Sequence, residues 1–168
     1  MVFLQSAEYS QTRIKRTIPL DTKKSPEVAI ILLNWNGWRD TLECLESLQD
    51  ISYENYQIFL VDNGSTDGSV ERITAWCRER DFGLDKISQD EKIILIRNEK
   101  NYGCSRGNNR GIRFAMNLSY FKYFWLLNND TVADEDALSE MVKVAEAKDK
   151  SGIIGSKIFD YENRSHIQ

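Results

Sequence analysis

The chain is poor in the residues that build metal cages and disulfide frameworks. Its three cysteines, Cys44, Cys77 and Cys104, are far apart, odd in number and form no C-x-x-C pair. That argues against a zinc site and against disulfides, and fits a reducing, cytoplasmic setting. The one histidine, His166, lies near the C-terminal end and reads as a solvated side chain rather than a ligand. With no G-x-S-x-G elbow either, serine-type hydrolysis is excluded. G-x-x-x-x-G-K-[ST] and G-x-G-x-x-G are also missing, which disfavours a P-loop nucleotidase and dinucleotide binding of the usual kind. No apolar run approaches the roughly 18 residues that cross a bilayer, and Val2-Phe3-Leu4 is too short for a signal-peptide core. Finally, 22 Lys and Arg against 26 Asp and Glu, scattered and summing to −4, leave no basic stripe of the kind that holds nucleic acid.

What is present is the material of one α/β domain. A chain of 168 residues with 41% hydrophobic and 11% aromatic content is long enough for one core. Residues 1–26 are polar, carry Arg13, Lys15, Arg16, Lys23 and Lys24, and read as a flexible N-terminal arm; its cations are solvated, or meet a membrane surface. From residue 27 to 168, apolar runs at Val28–Leu33, Gln57–Val61, Lys92–Ile96, Tyr123–Leu127 and Gly152–Ile158 alternate with amphipathic segments. This predicts βα units and a Rossmann-like, mostly parallel sheet flanked by helices. The first helix is expected to start at Asp40 in a capping box with Glu43, burying Leu42, Leu45 and Leu48. The second opens at Asp67 and buries Val70, Ile73, Trp76 and Cys77. A third runs from about Ser105 to Asn117 with Ile112 and Met116 inward. A fourth begins near Asp134 and buries Leu138, Met141, Val142 and Ala145.

Each strand is followed by small or amide residues: Asn34-Trp35-Asn36-Gly37-Trp38, then Asp62-Asn63-Gly64-Ser65-Thr66-Asp67-Gly68, then Asn98 through Gly111, then Asn128-Asn129-Asp130-Thr131. In an open parallel sheet these loops share the carboxyl edge, where ligands bind. Asp130, released from the apolar run Tyr120–Leu127, is a candidate for a divalent-metal or phosphate-linked site; a plain Asn/Asp turn is the alternative. Asp62 can accept from a planar N–H donor or a ribose hydroxyl, or close an Asx-turn. Asp67, spaced as an N-cap, reads as structural. Gly103, Gly107 and Gly111 let a ligand approach the backbone or let a helix pack tightly on the sheet. Arg106 either holds phosphate oxygens or is a surface arginine.

Taken together, Val28–Gly37, Leu60–Asp67, Asn98–Gly111 and Leu126–Thr131 resemble family 2 glycosyltransferases, most of all the rhamnosyltransferase-like branch. The resemblance spans about Val28 to Ile158. It implies a GT-A fold, a nucleotide-sugar donor (UDP- or dTDP-linked) and inverting transfer to a saccharide or lipid-linked acceptor hydroxyl. Cell-surface polysaccharide or glycolipid synthesis at the inner face of the membrane would follow. By position, Asn34, Trp35, Asn36, Asp62 and Asn63 would line the nucleoside pocket. Asn98, Gly103 and Arg106 would hold ribose and diphosphate, beside Asn128 and Asn129. Asp130 would ligate Mg²⁺ or Mn²⁺.

The family's metal motif is usually Asp-x-Asp, and here it is Asn128-x-Asp130, a change also found within the resembled branch. One negative charge fewer implies weak cation binding without nucleotide. No catalytic base is assigned: in the family it lies in a C-terminal half after the metal motif, and Asp160 and Glu162 are the only carboxylates left after the final strand, so it is expected beyond Gln168. The chain reads as a donor-binding part, truncated at the C-terminus before the acceptor part. A non-catalytic nucleotide-sugar-binding or scaffolding fragment is the alternative, and a nucleotidyltransferase a third reading. Peripheral membrane association and self-association stay open.

Overall fold

A computed structural model of the chain describes residues 2–5, 25–82, 91–119, 121–147 and 152–161. The elements run β1 (Val2–Gln5), β2 (Val28–Asn34), α1 (Trp38–Gln49), β3 (Tyr56–Asp62), α2 (Ser69–Glu79), β4 (Ile93–Arg97), α3 (Cys104–Leu118), β5 (Tyr123–Asn128), α4 (Ala137–Ala147) and β6 (Ile153–Ile154). They form one six-stranded sheet in the order β4-β3-β2-β5-β1-β6. The β4-β3-β2-β5 part is parallel, and β1 is antiparallel to both β5 and β6. The expected Rossmann-like arrangement is therefore present, with an antiparallel strand added.

Alternation along β2 shows why both faces are covered. Val28, Ile30 and Leu32 point into a core closed by α1, α2 and α4, while Ala29 and Ile31 point into a second core beneath α3. A strand buried on both faces reads as a near-continuous apolar run, as β2, β3 and β5 do apart from Gln57 and the polar residues at their carboxyl ends. Trp125, Tyr123 and Phe59 are the bulkiest fully buried side chains. On the α3 side, Phe59 meets Phe121 edge-on with ring centroids 5.4 Å apart.

Four sequence expectations are corrected. The segment read as an arm contributes β1 at Val2–Gln5, because four residues of backbone suffice to pair along β5; residues 6–24 lie outside the described residues. Helix α1 begins at Trp38 behind Gly37 without a side-chain cap, so Asp40 falls inside the first turn and no capping box forms. In α3 the inward side is Gly107, Gly111 and Ala115, whereas Met116 is exposed and Ile112 only partly buried. The last strand shrinks to Ile153–Ile154, the two residues that pair with β1. The buried sets of α2 and α4 are those expected.

The glycine spacing of α3 has a steric reason. A Cβ on Gly107 would lie 2.5 Å from Leu33 Cδ1, and one on Gly111 would lie 2.8 Å from Ile31 Cγ2. Of the two uses open to this ladder, close packing of helix on sheet is the one that Gly107 and Gly111 serve.

Candidate functional site

Register brings the predicted loops to one edge. Asn34 pairs with Asp62, Leu33 with Asn128, and Asp62 with Arg97, so β2, β3, β4 and β5 all end at the same level. Asn34, Asp62, Asn98 and Asn128 therefore stand side by side where the four βα loops begin.

The first cluster joins the loops after β2 and β3. Asn34, fully buried, donates from Nδ2 to Asp62 Oδ1 at 2.7 Å and to Ser65 Oγ at 3.1 Å. The other Asp62 oxygen, Oδ2, accepts from Ser65 N at 3.0 Å. Asp62 is only 2% exposed, and both its oxygens are engaged inside the chain. Such an ion can stay buried because charged hydrogen bonds offset its desolvation. Asn36 adopts a left-handed φ of 51°, which Asn tolerates, and clamps the same loop: its N–H donates to Ser65 Oγ at 2.9 Å and its Oδ1 accepts from Thr66 N at 2.8 Å. Trp35, 55% exposed, projects beside this clamp.

A second cluster joins the loops after β3 and β4. Asn63 Oδ1 accepts from Asn98 Nδ2 at 3.0 Å and from Tyr102 N at 3.2 Å, while its Nδ2 donates to Asn101 Oδ1 at 2.9 Å and to Gly103 O at 3.4 Å. The loops touch so closely at Gly64 (φ 74°) that a Cβ would come within 2.5 Å of Lys100 Cα. Asn98 Oδ1 is buried with no partner among the described residues. A buried acceptor left over in a network of this kind is one a ligand donor can satisfy.

The third cluster links α1 to the loop after β5. The Thr41 hydroxyl lies 2.9 Å from both Asn34 Oδ1 and Gly37 O, its one proton serving either, and accepts from Asn129 Nδ2 at 3.0 Å. Asn128 and Asp130 are exposed beyond it. Asp130 lines a cavity of about 210 Å³ with Asp40, Glu43, Thr131, Val132 and Tyr161. Beneath it the Cys44 thiol faces Asn128 O at 3.8 Å. Burial first, then the negative charge of Asp130, push that thiol from 9.0 up to about 12, so it is an unreactive buried group.

The donors at this end are hard oxygens, the ligand type of Mg²⁺ and Mn²⁺. Among the described residues, however, no three His, Cys, Asp or Glu side chains gather as a metal cage. The fit is to a cation that takes one protein carboxylate and draws the rest of its shell from a ligand and water.

Arg106 lies elsewhere, on the outer face of α3, in a separate cavity with Tyr102, Asn109, Arg110 and Arg113. Asp67 does not open α2, whose N-cap is Gly68; its Oδ1 accepts from Ser69 N at 3.0 Å just ahead of the helix, a structural role. His166 and Glu162 fall outside the described residues. Thr41, Ser65 and Asn101 were missed from the sequence. Only Ser65 carried a signal, its place in the small-residue loop after Asp62.

A mostly parallel sheet covered on both faces, with amide-rich loops converging on its carboxyl edge, is an open α/β architecture of the ligand-binding kind. Residues 29–168 match the model of glycosyl transferase family 2, and the chain belongs to that family. Its GT-A fold is shared with mannosyltransferase PcManGT from Pyrobaculum calidifontis, a structure in complex with GDP-Man and Mn²⁺. The TM-score is 0.62 at 20% identity over 74% of this chain and 34% of that one. TarS 1-349 of S. aureus in complex with UDP-GlcNAc gives 0.57 at 15% identity, over 72% and 31%. By sequence, the chain is 25% identical over 129 residues to glycosyltransferase GlyG of Streptococcus pneumoniae serotype 4 and spans 38% of its length. It is 25% identical over 147 residues to poly-beta-1,6-N-acetyl-D-glucosamine synthase of Staphylococcus aureus and spans 32% of it. Among the described residues no helix is long and apolar enough to cross a membrane.

Proposed function

We propose that the chain is the donor-binding part of an inverting transferase that moves a sugar from a nucleoside diphosphate carrier to a saccharide or lipid-linked acceptor hydroxyl. Its products would be cell-surface polysaccharide or glycolipid, made at the inner face of the membrane, with the rhamnosyltransferase-like branch the nearest type. The observation that carries the reading is the alignment of Asn34, Asp62, Asn98 and Asn128 at one sheet edge with Asp130 just beyond. Solved structures in complex with GDP-Man and with UDP-GlcNAc share the fold.

In this reading Asp62 orients rather than contacts, since Asn34 and Ser65 already occupy its oxygens. The nucleoside lies against Trp35, Asn36 and the Ser65–Thr66 backbone, and Asn98 Oδ1 accepts from a ribose hydroxyl. Gly103 holds the diphosphate on one side, while Asp130, flanked by Asn128 and Asn129, holds Mg²⁺ or Mn²⁺ on the other. When bound, the cation would neutralise charge developing on the nucleoside diphosphate leaving group.

The test is a melting-temperature panel of uridine, thymidine and guanosine diphosphate sugars with and without Mn²⁺. A ligand at 100 times its Kd stabilises by about 2.7 kcal/mol, a rise of roughly 5–10 °C at this chain length. Asp130→Ala should abolish the Mn²⁺-dependent part. A panel in which no nucleotide sugar shifts the transition would overturn the reading, and shifts indifferent to Asp130→Ala would favour a metal-independent scaffolding module.

A further inference from the structure

Arg106, Arg110 and Arg113 follow one another at i, i+4 and i+7 on α3, so they rise on one face of the helix over about 10 Å. The opposite face is the glycine and alanine surface that packs on the sheet, which forces the arginines outward. Helix α3 contains no acidic residue, and among the described residues none of the three arginines forms an ion pair. Like charges stacked at this spacing repel, and an anion between them relieves the repulsion. They do not stand on a flat surface: with Tyr102 and Asn109 they line a cavity of about 560 Å³. The backbone of Tyr102 is held by its N–H bond to Asn63 Oδ1. Its ring has Lys100 Nζ 5.6 Å from the centroid, a fourth cation at the rim.

We propose that this cavity is a second anion site, for a ligand bearing a diphosphate or closely spaced phosphate esters, separate from the cation-assisted site at Asp130. The two cavities share no lining residue. Three planar guanidinium forks match several phosphate oxygens bidentately, and a single carboxylate is too weakly charged to balance them. A phosphate-bearing acceptor, soluble or carried on a lipid headgroup, has this chemistry. The inference does not rest on the donor assignment: Arg106, Arg110 and Arg113 all line this cavity and none of them lines the one at Asp130.

Inorganic pyrophosphate titrated into the metal-free chain, followed by calorimetry, tests it. Binding is expected, weaker by roughly tenfold or more in R110Q/R113Q, with the response to nucleoside diphosphate plus Mn²⁺ unchanged. Should the double variant lose its fold by circular dichroism, R110Q and R113Q singly, each about threefold weaker, give the same reading. No pyrophosphate binding without metal, or equal binding by folded variants, overturns the proposal. Sedimentation with phosphatidylglycerol but not phosphatidylcholine vesicles, lost in the variant alongside pyrophosphate binding, assigns the phosphates to a lipid. Pyrophosphate binding without vesicle binding supports a soluble ligand. Vesicle binding without pyrophosphate binding also overturns the site, leaving only diffuse surface charge. A chain that ignores every nucleotide sugar yet binds pyrophosphate through Arg110 and Arg113 would end the donor reading and leave this one standing.

Discussion

The two ends of the loop edge are built on opposite plans. Around Asn34 and Asp62 the polar side chains are buried and engaged with one another. Around Asp130 the carboxylate is exposed. The closed end is finished before any ligand arrives, so binding there need not order side chains. The open end is finished only by what it binds. Rigidity and responsiveness are thus divided between neighbouring loops of one sheet.

The contrast can be broken most forcefully at Asp62. Asp62→Ala strips a partner from Asn34 Nδ2 and leaves Ser65 N without its acceptor, so the ligand-free chain should lose about 3 kcal/mol and roughly 6–12 °C in melting temperature. Thr41→Val should cost less, about 1–2 kcal/mol, because one hydroxyl is lost between Asn34 and Asn129, and urea unfolding will measure it.

Next comes a dependence on pH. Below about pH 8 the Cys44 thiol is protonated in both states. Above its ordinary value of 9.0 the unfolded chain ionises while the folded thiol, at about 12, does not, so stability falls as pH rises towards 12. Between pH 8 and 10 wild type should lose about 1 kcal/mol more than Cys44→Ala. That difference isolates the thiol from Lys92, whose value, lowered by burial to about 8, acts in the opposite direction. The smallest effect sharpens the comparison: Asp130→Ala should leave ligand-free stability within about 0.5 kcal/mol, while removing the Mn²⁺-dependent shift.

Much of this was legible because it rests on periodicity. Near-continuous apolar runs announced β2, β3 and β5, and 3.6-residue spacing found the buried faces of α2 and α4. Met116 misled because α3 presents glycines to the sheet, and a pattern search for large apolar residues cannot see a face made of absent side chains. Strand β1 was hidden by its length, four residues ahead of a polar stretch, with only Val2-Phe3-Leu4 to mark it. The loop residues Asn34, Asp62 and Asn98 stood out by position after a strand. Thr41 and Asn101 did not, since their roles come from partners up to 88 residues away. The arginine ladder is written plainly at 106, 110 and 113, but only the fold tells that its opposite side is spent on packing.

Strand β1 lies between β5 and β6, matching Val2 to Leu126 and Gln5 to Tyr123. Clipping those four residues would strip the flank of β5, baring a ladder of amides and carbonyls alongside its aromatic run. Such a flank invites intermolecular strand exchange and precipitation. Whether Val2–Gln5 are kept intact and paired therefore bears on whether the protein remains dispersed at all.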